Sequence, residues 1–334
     1  MKSSRKKLKI VLNYIIGPLL FIVLAIVIYS KIKNQPDLSQ KLQTVKGIFI
    51  KQNITQICFL FLLLCANWGI ESRKWQLLMQ PVERVSFLTS VKAILSGLAL
   101  SLFLPNGFGE YPARALYMKE GNRLRSVALN IAGSMAQLII TLIAGIISLI
   151  YLRNYSWQTK PQMQGLSMLW LNGIISMIIL GTMLLILIYF RLSWLTQLFE
   201  KIPFVYKYRH FIQSLEAFDW KVLTRILNLS FLRFIVFVVQ YIVVLHLLHV
   251  KIDLADAVCT TCVLFLVLAV LPTIPFADVG IRSEAGVQLF GLITPDTFGI
   301  VATTSLIWFI NLIIPSMAGS LFLLNIKIFR KRNN

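Results

Sequence analysis

Apolar residues fall in long runs along this chain, and short stretches between the runs hold most of its charges. A helix needs about 20 apolar residues to cross the hydrocarbon core of a bilayer. Helices satisfy their own backbone hydrogen bonds there, so runs of this length indicate membrane helices. The sequence therefore predicts an all-α, polytopic helical membrane bundle. The clear runs are 11–29, 54–70, 127–151, 166–190, 229–250 and 298–326.

Two further apolar segments, 87–104 and 254–271, end in proline-rich sequence and can be placed in two ways. If all eight segments cross, the Lys and Arg residues outside the spans divide equally, 16 on each side. If 87–120 and 252–292 instead enter, break at their prolines and return, the division becomes 23 to 9. Because Lys and Arg concentrate in cytoplasmic loops, we expect six full spans plus two re-entrant hairpins rather than eight spans, with both termini cytoplasmic.

This arrangement contains an inverted repeat, since each hairpin lies between two spans and the two hairpins enter from opposite sides. Transporters use inverted repeats to place broken helices around a site near the middle of the membrane. We expect a single membrane domain over 1–334. Its parts would be one repeat at about 48–151, a second at about 222–326, and a cytoplasmic amphipathic elbow at 191–221.

The composition and the positions of the basic residues indicate which kind of partner the protein binds. Of the 334 residues, 57% are hydrophobic and 14% charged, and the net charge is +20. The basic residues lie between apolar runs, where they orient a membrane protein and meet anionic headgroups. Membrane lipids, anionic or carrying a lipid-linked headgroup, are therefore the expected partners, and nucleic acid is not. Self-association and other membrane partners are left open.

Known motifs for nucleotide, metal or hydrolytic chemistry are missing from the sequence. There is no P-loop for ATP phosphates, and His246 and His249 have no further metal ligands nearby. Neither a cofactor nor a metal is expected. No hydrolase or zinc-peptidase motif occurs either, which speaks against an enzyme without deciding the matter.

The first hairpin breaks at residues 104–114, which read LPNGFGEYPAR. Proline cannot continue a helix without losing a hydrogen bond, so the backbone must leave helical geometry here. Glu110 and Arg114 are four residues apart, which places them on one helical face. The residues expected to form the break itself are Pro105, Gly107 and Gly109.

The second hairpin breaks at residues 271–284, which read LPTIPFADVGIRSE. Its expected structural breaks are Pro272, Pro275 and Gly280. Its charged candidates for substrate binding are Asp278, Arg282 and Glu284. Both breaks could be exposed loops whose ion pairs contribute about 0.3–0.5 kcal/mol. They could also lie at depth, where each charge costs about 2.5–3.5 kcal/mol and usually lines a hydrated cavity. The apolar flanks favour depth.

Polar side chains recur on one face of the helix after each break. Asn130, Ser134, Gln137 and Thr141 form the first stripe, and Asn311 belongs to the second. Such a stripe forms hydrogen bonds between helices or lines a cavity. Arg233 also has two interpretations: it reaches the cytoplasmic headgroups, or it lies near mid-membrane if its helix begins near Lys221. The first is favoured.

The first break resembles the LP-x-G-x-GE-x3-R motif of the lysylphosphatidylglycerol synthase transmembrane region, a family also called flippase-like. The second break is similar to a later motif of that family, and the resemblance covers roughly 45–325. It implies a polytopic bacterial inner-membrane protein that moves or modifies lipids. The soluble aminoacyl-transferase domain of full-length members does not occur in this sequence, so we do not expect synthesis of lysyl-lipid.

These observations lead to one hypothesis and two alternatives. The hypothesis is a flippase-like protein that binds and translocates a lipid or a lipid-linked headgroup. Glu110 and Arg114 would bind the headgroup, with the charged residues of the second break completing the site. The alternatives are a membrane-embedded transferase acting on lipid-linked substrates, with an acidic residue as base, and an accessory membrane subunit.

Overall fold

The computed structural model describes residues 53–102, 104, 107–157, 166–191, 218–271 and 277–324, together with Ile26. In these ranges all regular structure is helical. Apart from Ile26, the predicted first span at 11–29 lies outside the described residues. So do Pro105, Pro272, Pro275 and most of the predicted elbow.

Ten α-helices form the described part of the protein. They are α1 (Ile54–Met79), α2 (Phe87–Ser101), α3 (Glu110–Ala115), α4 (Arg123–Tyr155), α5 (Leu166–Phe190), α6 (Trp220–Leu247), α7 (Leu254–Val270), α8 (Asp278–Phe290), α9 (Thr297–Trp308) and α10 (Ile314–Leu324). A 3-10 turn at Glu120–Asn122 precedes α4, and a π-helical turn at Phe309–Ile313 joins α9 to α10.

Five of the described helical segments are long and apolar enough to cross a membrane: α1, α4, α5, α6 and the continuous α9–α10. Helices α2 and α7 are apolar but shorter. Each long segment corresponds to one of the apolar runs. The predicted all-α, polytopic bundle is therefore confirmed.

Two of these helices differ from their predicted bounds in a way that matters for function. Helix α1 ends at Met79 rather than near residue 70, and α6 begins at Trp220 rather than near residue 229. The apolar run ends where charged residues begin, but two of those residues, Glu71 and Lys74, are buried inside the bundle. The end of the span near residue 70 and the favoured placement of Arg233 at the headgroups were therefore wrong.

Helices α1 and α6 run antiparallel. The end of α1, with Trp75 and Leu78, shares a hydrophobic cluster with Leu223 and Ile226 at the start of α6. The start of α1 packs instead in the cluster that contains the end of α6. We call the end of the bundle that holds the C-terminus of α1 the basic end.

The segment containing α2 and α3 leaves and returns to the basic end. Leu78 at the end of α1 contacts Gly133 in the first half of α4, so α4 starts where α1 stops. The segment with α7 and α8 does the same at the opposite end, because Val250, just after α6, contacts Gly299 near the start of α9. Both segments are thus hairpins, as in the six-span arrangement.

The two hairpins pack reciprocally. Helix α2 of the first hairpin packs along α10, and α7 of the second packs along α4, and these are among the most extensive helix contacts in the described chain. Each hairpin therefore lies against the last span of the other half. An internal repeat would produce this reciprocal packing. The repeat bounds at about 48–151 and 222–326 remain a proposal.

Two glycines shape the first break. Gly107 has φ +68°, a left-handed conformation that glycine adopts without strain. A Cβ on Gly109 would lie 2.2 Å from the carbonyl oxygen of Leu100, so only glycine allows the chain to pass so close to α2. The assignment of both residues to the structural break stays a prediction. Gly280 lies buried in the first turn of α8.

Replacing Gly319 by valine is expected to destabilise the bundle. A Cβ at this position in α10 would lie 1.9 Å from the carbonyl oxygen of Leu95 in α2. Overpacking of this kind costs about 1–3 kcal/mol, which should lower the melting temperature in detergent, measured by tryptophan fluorescence. Gly173 in α5 faces open space, so Gly173→Val is the matched control. Equal melting temperatures for the two variants would contradict the close α2–α10 contact.

Candidate functional site

Five charged side chains meet inside the bundle. Glu71 Oε2 lies 2.7 Å from Lys74 Nζ and 3.1 Å from Arg233 Nη1, and Glu71 Oε1 lies 3.4 Å from Arg114 Nη1. Arg114 also donates to Glu110 Oε2. Helix α1 supplies two of these residues, α3 two and α6 one. We call this group the charge cluster.

Burial makes the pairing within the charge cluster necessary. The side chains of Glu71, Lys74 and Arg114 are less than a tenth exposed, whereas that of Glu110 is 31% exposed. An isolated charge at this depth costs about 2.5–3.5 kcal/mol. Glu71 offsets that cost for three cations at once. Glu110 has the most exposed side chain of the cluster.

Arg233 is held by aromatic rings as well as by charge. Its guanidinium lies 5.0 Å from the ring centre of Trp68 and 5.2 Å from that of Phe237. The planar guanidinium suits such stacking better than an ammonium group does. Its Nε donates to Asn67 Oδ1 at 2.8 Å. Arg233 lies halfway along α6, so these contacts fix a cation in the middle of a span.

A chain of buried amides extends the charge cluster towards the second half of the protein. Asn67 Nδ2 donates to Asn311 Oδ1 at 2.8 Å, and Asn311 Nδ2 donates to Gln240 Oε1 at 2.9 Å. Asn311 lies in the π-helical turn, a feature that often marks functional positions. The amides therefore connect α1, α6 and the final span through one polar network.

The charge cluster borders a cavity of about 370 Å³, which we call the charged cavity. It lies between α1, α3, α4 and α6, with one residue contributed by the end of α7. Its polar lining consists of Glu71, Lys74, Glu110, Arg114, Asn130, Ser134, Gln137, Thr141 and Arg233. All four members of the predicted polar stripe on α4 thus face this space.

The charged cavity is suited to an anion. Three cationic side chains and two carboxylates line it, which leaves one net positive charge. Arg114 Nε, Asn130 Oδ1 and Gln137 Oε1 are buried and form no hydrogen bond with any described residue. Gly97 makes room for Arg114, since a Cβ there would lie 3.1 Å from its Nε. Polar groups of both kinds are thus available to a polar ligand.

The second break forms a separate polar centre. Asp278 Oδ2 accepts from Arg282 Nε at 2.9 Å and from Trp308 Nε1 at 2.8 Å. Arg282 and Asn311 line a smaller cavity of about 130 Å³, whose walls include Trp68 and Trp308. Glu110 and Arg114 line the charged cavity, whereas Arg282 lines this smaller one.

Glu284 lies apart from both cavities. Its Oε1 accepts a hydrogen bond from Gln288 Nε2 at 2.7 Å, one turn further along α8. Of the eight predicted binding residues, four therefore line the charged cavity, two line the smaller cavity, and Asp278 holds Arg282 beside it. Within the described residues, no group of three or more His, Cys, Asp or Glu side chains could hold a metal ion.

Sequence reasoning missed Glu71 and Lys74 and favoured the wrong interpretation of Arg233. The apolar pattern on α1 continues past the charges, because Trp68, Trp75 and Leu78 recur at helical spacing and are all buried. That spacing was the signal that the helix extends beyond residue 70.

Replacing Glu71 by glutamine is expected to lower the free energy of unfolding by about 3–5 kcal/mol, because it leaves several buried cations without their counter-charge. Thermal unfolding in nanodiscs measures the effect. Glu120 is exposed in the turn before α4, so Glu120→Gln is the control. A Glu71→Gln/Lys74→Met double variant should recover part of the loss. If Glu71→Gln unfolds at the same temperature as Glu120→Gln, Glu71 does not stabilise the cluster.

Comparison with known families agrees with this architecture. Neither the curated proteins nor the solved structures gave a significant match. A family model described as the lysylphosphatidylglycerol synthase TM region matches residues 14–319, which is nearly the whole chain. The chain therefore belongs to the family of the lysylphosphatidylglycerol synthase transmembrane region, a family of membrane proteins related to lipid handling.

Proposed function

We propose that this protein binds the headgroup of an anionic lipid, or of a lipid-linked anion, in the charged cavity and translocates it across the membrane. The observation that carries the proposal is one net positive charge in a buried cavity that also holds unsatisfied polar atoms. Membership of a family related to lipid handling supports a lipid as the source of the ligand.

Arg114 and Glu110 have complementary roles in this proposal. Arginine binds phosphate through a planar set of donors, and such charge-assisted hydrogen bonds are stronger than neutral ones. Glu110 pairs with Arg114 and is the most exposed member of the cluster. An incoming phosphate would compete with the Glu110 carboxylate for the guanidinium. Glu110 then serves as an internal counter-ion that replaces the headgroup when it leaves.

The placement of the site supports movement rather than storage. Inverted repeats in transporters surround a mid-membrane site with broken helices. Here the charged cavity is bounded by the broken first hairpin and by spans from both halves. Helix α3 is a single short helix that follows Gly107 and Gly109, so a small backbone change at these glycines would shift both Glu110 and Arg114.

The orientation we propose follows from surface charge. Exposed cations at the basic end include Arg73, Arg84, Lys119, Lys221 and Arg225, whereas Lys251 is exposed at the opposite end. By the positive-inside rule, the basic end would face the cytoplasm of a bacterial inner membrane, with both termini on that side. The first hairpin would then enter from the cytoplasm.

Replacing Arg114 by glutamine is expected to slow headgroup translocation about tenfold or more, since a hydrogen bond to a charged group contributes roughly 1.5–3 kcal/mol. The assay uses phosphatidylcholine liposomes with a trace of headgroup-fluorescent phosphatidylglycerol, and an impermeant quencher reports the movement. Arg84→Gln removes an exposed cation at the basic end and is the control.

Transport by Arg114→Gln at the wild-type rate, with equal stability, would exclude the charged cavity as the headgroup site. Mass spectrometry of the recovered lipid tests the transferase alternative, because a covalently altered headgroup would show catalysis instead of translocation.

Replacing Glu110 by glutamine is expected to tighten binding of the anion, because the net charge of the cavity rises and Arg114 loses its competitor. Calorimetry with short-chain phosphatidylglycerol measures the affinity, and short-chain phosphatidylcholine is the zwitterionic comparison. We expect at least a several-fold lower Kd for the anionic lipid and little change for the zwitterionic one. Weaker binding of the anionic lipid would contradict the role of Glu110 as a counter-ion.

A further inference from the structure

A second, apolar cavity lies beside the charged cavity. It has a volume of about 760 Å³ and lies between α4, α5 and α7. This volume is in the range of about 300–1,000 Å³ typical of small-molecule sites. Only Trp157 and Thr182 contribute polar atoms among its described lining residues, and the Thr182 hydroxyl donates to the carbonyl oxygen of Ile178. We call this space the apolar groove.

The apolar groove and the charged cavity share a wall. Leu138 of α4 lines both spaces. At the next turn of α4, Thr141 faces the charged cavity and Leu142 faces the groove. The same alternation occurs at the end of α7, where Ala269 lines the charged cavity and Val270 the groove. The two spaces therefore lie side by side at the same level of the bundle.

The groove opens towards the lipid phase. Its outer rim is formed by large apolar side chains that are half exposed or more: Ile174 is 50% exposed, Met177 78% and Val270 70%. In a membrane these side chains meet hydrocarbon, so a chain in the groove would be continuous with the surrounding lipid. A molecule lying across Leu138 would place a polar end among charges and an apolar end among leucines.

We infer that the apolar groove holds the hydrocarbon chain of the same lipid whose headgroup occupies the charged cavity. This inference rests on the proposed function, and it adds that recognition is bipartite. We choose this occupant because the groove and the charged cavity share a wall. In a lipid, an acyl or isoprenoid chain is joined to its phosphate by a short linker, so one molecule could occupy both spaces. The chain would also hold the lipid in place while its headgroup changes sides.

Gly181 of α5 offers a direct way to fill the groove. It lines the groove, and a Cβ built on it meets no atom within 4 Å, so a large side chain fits without strain. Gly173 on the same helix also faces open space but does not line the groove. Gly181→Trp is therefore the test variant, and Gly173→Trp is its control.

The experiment uses purified protein in phosphatidylcholine nanodiscs that contain phosphatidylglycerol with a photoreactive diazirine at the end of one acyl chain. After illumination, mass spectrometry locates the labelled residues. We expect labelling of α5 and α7 at the groove in the wild type. Gly181→Trp should reduce it about tenfold, the loss expected if the indole displaces about two chain methylenes. Gly173→Trp should not.

Arg114→Gln is the second variant, because it links the groove to the headgroup. If one lipid spans both spaces, Arg114→Gln reduces labelling in the groove while labelling of lipid-facing α6 residues such as Phe231 and Leu232 stays constant. Groove labelling that is unaffected by Arg114→Gln would mean that bulk lipid fills the groove, and would overturn the inference.

Failure of the inference can be distinguished from failure of the proposed function. Dibutyryl-phosphatidylglycerol carries the headgroup with almost no chain, so its binding reports the charged cavity alone. If it binds the wild type and not Arg114→Gln, while the groove remains unlabelled, the headgroup site stands and the chain site is wrong. If it does not bind the wild type, the proposed function fails and the inference with it. A change of oligomeric state in Gly181→Trp would instead identify the groove as an interface between two copies.

Discussion

A single buried carboxylate, that of Glu71, forms ion pairs with cations from three helices around the candidate site. Glu71 contacts Lys74, Arg114 and Arg233, which come from α1, α3 and α6, so one residue neutralises cations from a span in each half and from the first hairpin. In hydrocarbon the alternative to pairing is an uncompensated charge, and the low dielectric that makes this costly also strengthens the pairs. The contact with Arg114 connects α3, and with it one wall of the charged cavity, to α1.

The two halves of the protein meet through polar groups at the middle and through apolar surfaces at the ends. Asn67 bonds both Arg233 and Asn311, and Asn311 bonds Gln240, so the amide chain crosses from the first half to the last span. Trp68 and Phe237 stack on Arg233 and also line the smaller cavity beside Arg282. Arg233 therefore separates the polar centres of the two breaks, and any motion that moves its guanidinium would affect both.

The sequence was sufficient for the fold class, and it singled out six of the nine polar residues that line the charged cavity. Physical reasons explain why it missed the rest. Apolar run length predicts spans well because the bilayer imposes it, and the counts of Lys and Arg correctly favoured hairpins over two extra spans. The motif around Glu110 and Arg114 was readable because glycine and proline mark a break. Glu71, Lys74 and Arg233 were not, because hydropathy treats each charge as a loop signal, whereas their burial depends on partners far away in sequence.

If the charged cavity binds a lipid headgroup as proposed, its net charge explains why the lipid could leave the site as well as enter it. A fully neutral cluster would offer an anionic headgroup no electrostatic gain, and a cluster without Glu110 would hold it with two net charges at low dielectric. With Glu110 present, a bound phosphate would replace the Glu110 carboxylate as the partner of Arg114, and the carboxylate would return when the phosphate leaves. The charge around the guanidinium would therefore change little on binding or on release. Selectivity for lipids over free anions would then come from the hydrocarbon chain, because a free anion has no apolar part to place beside Leu138. Under the proposed function, such a site would move amphipathic anions and leave soluble ones behind.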